Sequence, residues 1–579
     1  MKVKIIFFIF ISCVFLNAQE LNNEKIIKEH LKTNIKNYLS PSISNKLLNN
    51  YYKGFDYQLF WFEDNTPKDI SKQLLSKIDN DEVIKPVQEK LFPKLFDITK
   101  EINKVSLDSS LDTIIDLDLQ LTDLYHNYMK LLTNGYINWE DFENELLFFK
   151  EDKKIDISWQ KYRKFISYRK LLYAINKDND FSLIQKEVEN NFFDVTELSK
   201  KIKYFEEVKS YGGFTKIRNI TTLLKKGDKN KKISQIRVRL VQSLDLNDPY
   251  CYLDNRFCSD FFDDELKKGV EKFQKRHSLD IDGIVGRNTI NALNTPVEKK
   301  IEKIRVNLER IRLLPSNFGE KFIFVNIPEF KLRVFDKDKE EFQTAVIVGE
   351  KQNPTPVFSH RLSEVVLNPY WRIPQSIVKK ELIAKLVENP NYLEEENIKV
   401  FENWDIDSMQ YDVSAVDWSM YLENDLIGDD KQAPMRFIQF PNEKNPLGKI
   451  KFLFPNRYSV YLHDTPQKYL FKNNYRAYSH GCIRVDKPND LLISLLKNEK
   501  EYEGLNYEQL FSLDEKIDLE LMDKVPVHIV YLTTWLDENK DIYFAEDIYG
   551  FDEIQANILY NPNYERKILE PKTLSASAQ

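Results

Sequence analysis

Cysteine is scarce in this chain. Four of 579 residues, Cys13, Cys251, Cys258 and Cys482, are too few for a fold stapled by disulfides. An excess of basic residues is also missing. Lysine and arginine number 84 against 91 aspartates and glutamates, a net charge of -7. The charges are interspersed, so there is no basic face of the kind nucleic-acid binding requires. The lysine-rich stretch 225–232 reads as a solvated loop. No long apolar run follows the first sixteen residues, which leaves no confident membrane span. No Cys/His spacing suggests a metal site. What is present is a hydrophobic share of 42% and a charged share of 30%. That balance suits a soluble globular protein, and the length is enough for several domains.

The N-terminus sets the compartment. Lys2 and Lys4 precede an apolar run over 5–16, followed by Asn17, Ala18 and Gln19. This is the layout of a secretory signal peptide cut after Ala18. An uncleaved anchor is one alternative. A lipoprotein built on Cys13 is another, although apolar residues continue past that cysteine. Without the signal segment three cysteines remain. Cys251 and Cys258 are near neighbours that either bridge in an oxidising envelope or stay as two thiols. Cys482 is left over, as expected of a thiol kept for chemistry.

The most informative stretch is 461–485, Y-L-H-D-T-P-Q-K-Y-L-F-K-N-N-Y-R-A-Y-S-H-G-C-I-R-V. It gathers His463, His480, Cys482 and Arg484. A thiolate attacks where a thiol does not, so a histidine within hydrogen-bond reach of Cys482 would activate it. Gly481 lets the backbone turn sharply and bring N–H groups close to a substrate oxygen. Arg484 offers a planar fork of donors for a carboxylate. Each residue alone has an ordinary reading: a small buried hydrophobe for the cysteine, a core or surface residue for each histidine, a local salt bridge for the arginine. The joint pattern favours a nucleophile and its base.

The pattern H-x(n)-S-H-G-C-x-R resembles the catalytic motif of the L,D-transpeptidases, which cross-link bacterial peptidoglycan. The words Y-L-H-D-T-P and S-H-G-C-I-R-V are similar to those of the large Gram-negative members. The resemblance extends over about 231–552 and more loosely over the N-terminal region. It implies Cys482 as nucleophile and His463 as general base, with the carbonyl of Asp464 orienting the ring. Ser479 and His480 would frame the turn, and Gly481 would contribute to oxyanion stabilisation. Arg484 would bind substrate or make a local ion pair. Tyr370 and Trp371 would line the pocket or pack in the core. The implied reaction is acyl transfer from a tetrapeptide stem, releasing D-alanine and giving a 3→3 cross-link with no cofactor or metal. The implied partners are peptidoglycan stem peptides, carbapenem-type β-lactams as inhibitors and other cell-wall enzymes, with no nucleic acid; the implied place is the periplasm. The alternatives are an L,D-carboxypeptidase, an enzyme tethering proteins to the wall, and an inert wall-binding scaffold. A generic Cys/His peptidase is a further alternative.

The expected fold is α+β and multidomain. After a signal peptide (1–18), a helical scaffold domain covers 19–230, where Ile114, Leu117, Leu121, Leu124 and Tyr128 mark one helix face. The words D-Y-Q-L-F-W-F (56–62) and L-D-L-Q-L-T-D (117–123) resemble the scaffold of the large members. A peptidoglycan-binding-like module of three helices covers 231–295, with Phe273-Gln274, Asp282-Gly283, Thr289 and Ala292-Leu293 matching its pattern. A charged amphipathic connector helix follows within 296–319, carrying Ile301, Ile304, Leu308 and Ile311 on one stripe. The catalytic domain over 320–535 should be β-rich and, by the resemblance, sandwich-like. T-P-V-F (355–358) and N-P-Y-W-R-I-P (368–374) are among its recurring words. A capping insertion over about 375–430 reads as helix and loop. D-I-Y-G-F-D (547–552) resembles a closing segment within the C-terminal extension, 536–579.

Overall fold

The computed structural model describes residues 25–561 apart from short stretches, the longest being 424–434 and 154–158. The signal-peptide segment and the last residues of the chain lie outside the described part.

The N-terminal region is helical and closes over its own apolar core. Its longest helix is Leu111–Asn134, capped by Ser110, whose side chain accepts from the Thr113 amide. Asp118 on this helix is fully buried. Its carboxylate accepts from the Phe60 and Trp61 amides (3.3 and 2.8 Å) and from the Tyr52 hydroxyl (2.6 Å). The two sequence words of this region therefore meet at one buried acid. Such an acid is stable there only because its oxygens are satisfied.

The next module is built from the helices Lys231–Gln242, Asp264–Arg276 and Arg287–Leu293. Leu266, Val270 and Phe273 supply the buried stripe of the middle helix. Gln274 donates to Asp282 (2.7 Å) and accepts from the Gly283 amide (2.9 Å), so it pins the turn between the second and third helices. Cys251 and Cys258 form a disulfide in the segment between the first two helices. His277 is half-buried here and stacks on Phe273.

The connector helix, Val297–Arg312, differs from a helix with one solvated face. Lys300, Arg305, Asn307, Glu309 and Arg310 are buried along with the apolar stripe. Each meets a partner from a different part of the chain. Glu309 accepts from the Tyr136 and Ile137 amides of the scaffold. Arg312 pairs with Asp81 at 2.9 Å. Arg310 pairs with Asp552 at 2.7 Å and donates to Gln555 at 2.6 Å. Asn307 exchanges two 2.8 Å hydrogen bonds with Thr533. Lys300 lies over the Phe544 ring, 3.9 Å from its centroid. Charge patterning reads as a solvated face because partners distant in sequence are invisible to it.

The β-rich domain is organised by nine strands: β1 (Lys321–Asn326), β2 (Lys331–Asp336), β3 (Lys339–Gly349), β4 (Phe358–Leu367), β8 (Ile450–Leu453), β9 (Leu462–His463), β10 (Ala477–Ser479), β11 (Ile483–Val485) and β12 (Ile517–Val530). Three further strands, β5 (Trp371–Arg372), β6 (Ile398–Phe401) and β7 (Arg436–Gln439), lie in the insertion. The nine run in the order β10-β3-β11-β9-β8-β4-β12-β1-β2, and β2 also pairs with β3. The sheet thus closes on itself. A sandwich of two separate sheets was expected; a single hydrogen-bonded sheet closed through β2 and β3 is found instead. Val325, Leu332, Val346, Leu367, Ile450, Leu462 and Ile483 fill its core.

The insertion is not helix and loop alone, and it reaches beyond 375–430. The strands β5, β7 and β6 form a separate antiparallel sheet from Trp371 to Gln439. Its core includes Ile373, Val378, Leu386, Val400, Trp418 and Phe437. Strands of two to four residues are too short to leave an alternating pattern in sequence. Among the described residues no helix is long and apolar enough to cross a membrane.

Arg310→Ala should destabilise the fold by about 3–5 kcal/mol, because Asp552 would lose its closest buried cation. The midpoint of urea unfolding of the full chain measures this. An unchanged midpoint would contradict the role given to the connector helix.

Candidate active site

The site is set by strand register. β9 and β11 are parallel, with Leu462 opposite Ile483 and His463 opposite Arg484. Leu462 and Ile483 are fully buried in the sheet core. Side chains alternate along a strand, so Tyr461, His463, Cys482 and Arg484 share the other face. The neighbouring strand β8 adds Lys451, paired with His463. The two halves of the sequence motif are thereby brought side by side, with histidine and cysteine on one face of adjacent strands.

His463 is buried. Its Nδ1 lies 2.5 Å from the Asp464 carbonyl. A carbonyl only accepts, so Nδ1 carries the proton and the lone pair is on Nε2. Burial, with the positive charge of Arg484 next in size, pulls the imidazole pKa from its ordinary 6.5 down to about 3. The ring is therefore a neutral base throughout the physiological range. Asp464 is itself clamped: its carboxylate accepts from the Lys449 amide (2.9 Å) and pairs with Lys468 (2.8 Å). Gly448 packs directly on it at φ +58°, where any Cβ would fall 2.2 Å from Oδ2.

Cys482 is the free cysteine among the described residues and is partly exposed. Its Sγ lies 3.8 Å from the Ser459 carbonyl. Burial pushes the thiol above its ordinary 9.0, opposed by the Tyr461 backbone and then by the charge of Lys451. Gly481 takes φ +110°, a conformation that favours glycine. The turn is held from both sides. Ser479 Oγ donates to the Cys482 carbonyl and accepts from the Gly481 amide (3.2 Å). Thr355 donates to the Gly481 carbonyl (2.8 Å) and accepts from the Gly349 amide (2.8 Å). The Tyr549 hydroxyl accepts from the Thr355 amide (3.2 Å) and donates to the Gly349 carbonyl (2.7 Å). The Gly481 amide is thus already engaged, whereas among the described residues no acceptor engages the amide of Cys482.

The remaining expected residues divide. Arg484 makes no ion pair among the described residues; it donates to Gln467 Oε1 at 2.7 Å. His480 is half-exposed, with Nε2 3.5 Å from Glu381 of the insertion. Trp371, His480 and Arg484 line a cavity of about 430 Å³ between the insertion and the motif. Glu381, Lys385, Glu396 and Lys444 give that cavity charges of both signs. Tyr370 is not part of its lining; it packs on Phe440, with ring centroids 4.8 Å apart. Thr355 and Tyr549 fall in words singled out in the sequence, yet their link to the turn depends on contacts across 126 and 194 residues. Glu381, Lys451 and Gln467 carry no local signal. Among the described residues no group of three or more His, Cys, Asp or Glu side chains could hold a metal ion.

Comparison with known proteins matches three stretches of the chain to described families. Residues 320–498 match the L,D-transpeptidase catalytic domain. Residues 46–192 match a family described as "Scaffold domain", and residues 252–293 one described as "Putative peptidoglycan binding domain". A curated Haemophilus influenzae protein named "Putative L,D-transpeptidase" is 31% identical over 300 residues, covering 50% of this chain and 58% of that protein. The chain therefore spans a little over half the length of that relative. A solved L,D-transpeptidase from Mycobacterium smegmatis shares 11% identity at a TM-score of 0.18, covering 36% of this chain and 58% of its own. A solved L,D-transpeptidase from Xylanimonas cellulosilytica (residues 123–326) shares 11% identity at a TM-score of 0.16, covering 54% and 100%. Scores that low establish no common fold. The chain thus carries a match to an L,D-transpeptidase catalytic domain, preceded by matches to the scaffold and peptidoglycan-binding domains.

The depressed histidines fix a pH dependence. His463 is held near pKa 3 and His528 near 4, each below its ordinary 6.5, so the unfolded chain binds more protons than the folded one across that interval. Stability should fall as pH drops from about 6.5 towards 3, by at most about 1.4 kcal/mol per pH unit for each residue. Thermal midpoints across that range should decline less steeply in His463→Asn. Equal slopes would contradict a neutral, buried His463.

Proposed function

We propose that this chain is an L,D-transpeptidase of the cell envelope, forming 3→3 cross-links between peptidoglycan stem peptides through Cys482. The observation that carries the reading is the shared face of His463 and Cys482 on neighbouring segments of the sheet, flanked by a cavity of mixed charge that their sequence neighbours His480 and Arg484 line. In this reading Nε2 of His463 takes the thiol proton. The thiolate forms a C–S bond to the carbonyl carbon of the third residue of a tetrapeptide stem. The amide of Cys482 donates to the oxyanion, since that of Gly481 is engaged by Ser479. The C–N bond to D-alanine then breaks, and His463 passes its proton to the departing amine. The side-chain amine of a second stem attacks the thioester and gives up a proton to His463. The C–S bond breaks and the thiolate returns. Acids and bases in the cavity suit a peptide that carries both amine and carboxylate groups. A carbapenem would acylate Cys482 in the same way. The scaffold and peptidoglycan-binding domains would present the catalytic domain to the wall, outside the cytoplasm.

Disaccharide-tetrapeptide muropeptides incubated with wild type should give a dimer and free D-alanine by mass spectrometry, and Cys482→Ala should give neither. Tripeptide monomer alone would make the enzyme an L,D-carboxypeptidase with water as acceptor. No change with either protein would contradict a self-sufficient enzyme.

A further inference from the structure

A thiolate formed in this site needs a positive charge nearby, and His463 is poorly placed to keep one. Its Nδ1–H is committed to the Asp464 carbonyl, and its ring is buried. An imidazolium there bears the full cost of desolvation. Two other cations share the face. One is Arg484, whose Nη1 is committed to Gln467.

The other is Lys451. Ile450 and Phe452 on either side of it are buried in the sheet core, so alternation turns Lys451 to the face that carries the motif. Its backbone partner is His463 on one side and Val366 on the other. Its Nζ lies 3.9 Å from the centroid of the Tyr461 ring. That ring is 5.6 Å from the His463 ring, and the Cys482 sulfur is near enough to its hydroxyl to raise the phenol's pKa. No carboxylate forms an ion pair with Lys451 among the described residues. The side chain is an ammonium held on an aromatic ring on the same face of the sheet as the thiol, with no ion-pair partner among the described residues.

We propose that Lys451 is a positioning residue of the acyl-transfer site: its ammonium, seated on the Tyr461 ring, is the counter-cation that stabilises the Cys482 thiolate. The proposal rests on Cys482 being the nucleophile. A cation over the face of a tyrosine is itself favourable and fixes the ammonium in place. The other charges that face Lys451 are Arg372 of the insertion, Glu364 of β4 and Lys516, just before β12. Arg372 and Lys516 repel it, Glu364 and Cys482 attract it, and His463 opposite is neutral. Burial brings the lysine down to about 8, with Cys482 the largest influence in the other direction. At neutral pH it is therefore still charged and able to act on the sulfur.

The test is the pH dependence of Cys482 alkylation by iodoacetamide in the full chain, followed by the mass of the peptide holding Cys482. It requires no muropeptide, so it stands apart from the cross-linking assay. Lys451→Met should raise the midpoint of the profile by about one unit, slowing alkylation about tenfold below the midpoint. Lys451→Arg should restore most of the wild-type profile, and unchanged thermal midpoints would show that both variants fold. Equal profiles in wild type and Lys451→Met would overturn the proposal and leave the nucleophile reading intact. So would a Lys451→Arg profile that matches Lys451→Met in a folded protein. A wild-type Cys482 inert to alkylation at every pH would overturn both.

Discussion

The parallel pairing of Leu462 with Ile483 is the constraint on which the site depends. Slipping one of these strands by a single residue would send its side chains to the opposite face. Cys482 and Arg484, or Tyr461 and His463, would then enter the apolar core. Two strands of two and three residues are too short to hold that register alone. It is fixed by neighbours: Leu462 and Ile483 are buried on the core side, and the Ile483 amide donates to the Tyr461 carbonyl at 3.1 Å. The chain of contacts from Tyr549 through Thr355 to Gly481 then ties the cysteine turn to a segment near the C-terminus. Cys482 is thus seated on sheet and braced turn, which is what a preorganised site requires.

A second constraint operates at longer range. The connector helix spends its charges inward, toward the scaffold through Glu309 and Arg312 and toward the catalytic domain through Arg310 and Asn307. Buried pairs of this kind add little net stability over apolar packing, but breaking one is costly. They therefore fix which surfaces meet. The insertion has an apolar core of its own, touches the motif through the Glu381–His480 contact and lines one side of the cavity.

Much of this was legible in the sequence where the physics is local. The S-H-G-C turn, the histidine before Asp464 and the change from helical to alternating patterns all follow from residue type and spacing. So does the Asp282-Gly283 turn, whereas Gln274 and the two scaffold words stand out only through their resemblance to the family. The rest depends on register and on distant partners. Nothing near Lys451 in sequence announces a motif; only the β8–β9 pairing puts it beside His463. Tyr370 and Trp371 are adjacent in sequence, yet Trp371 lines the cavity and Tyr370 packs on Phe440. The closed sheet rests on β3 pairing with β2 along one stretch and with β11 along another, which no local pattern encodes.

The central claim is that Cys482 carries the acyl group, and the intact mass of the acyl-enzyme tests it most directly. Full-length protein mixed with a tetrapeptide stem and quenched in acid should gain the mass of that stem less D-alanine, on the peptide containing Cys482. The adduct should be absent in Cys482→Ala and should accumulate to a lesser extent in His463→Asn. An adduct that persists in Cys482→Ala, or wild type that releases D-alanine without ever gaining mass, would contradict the account.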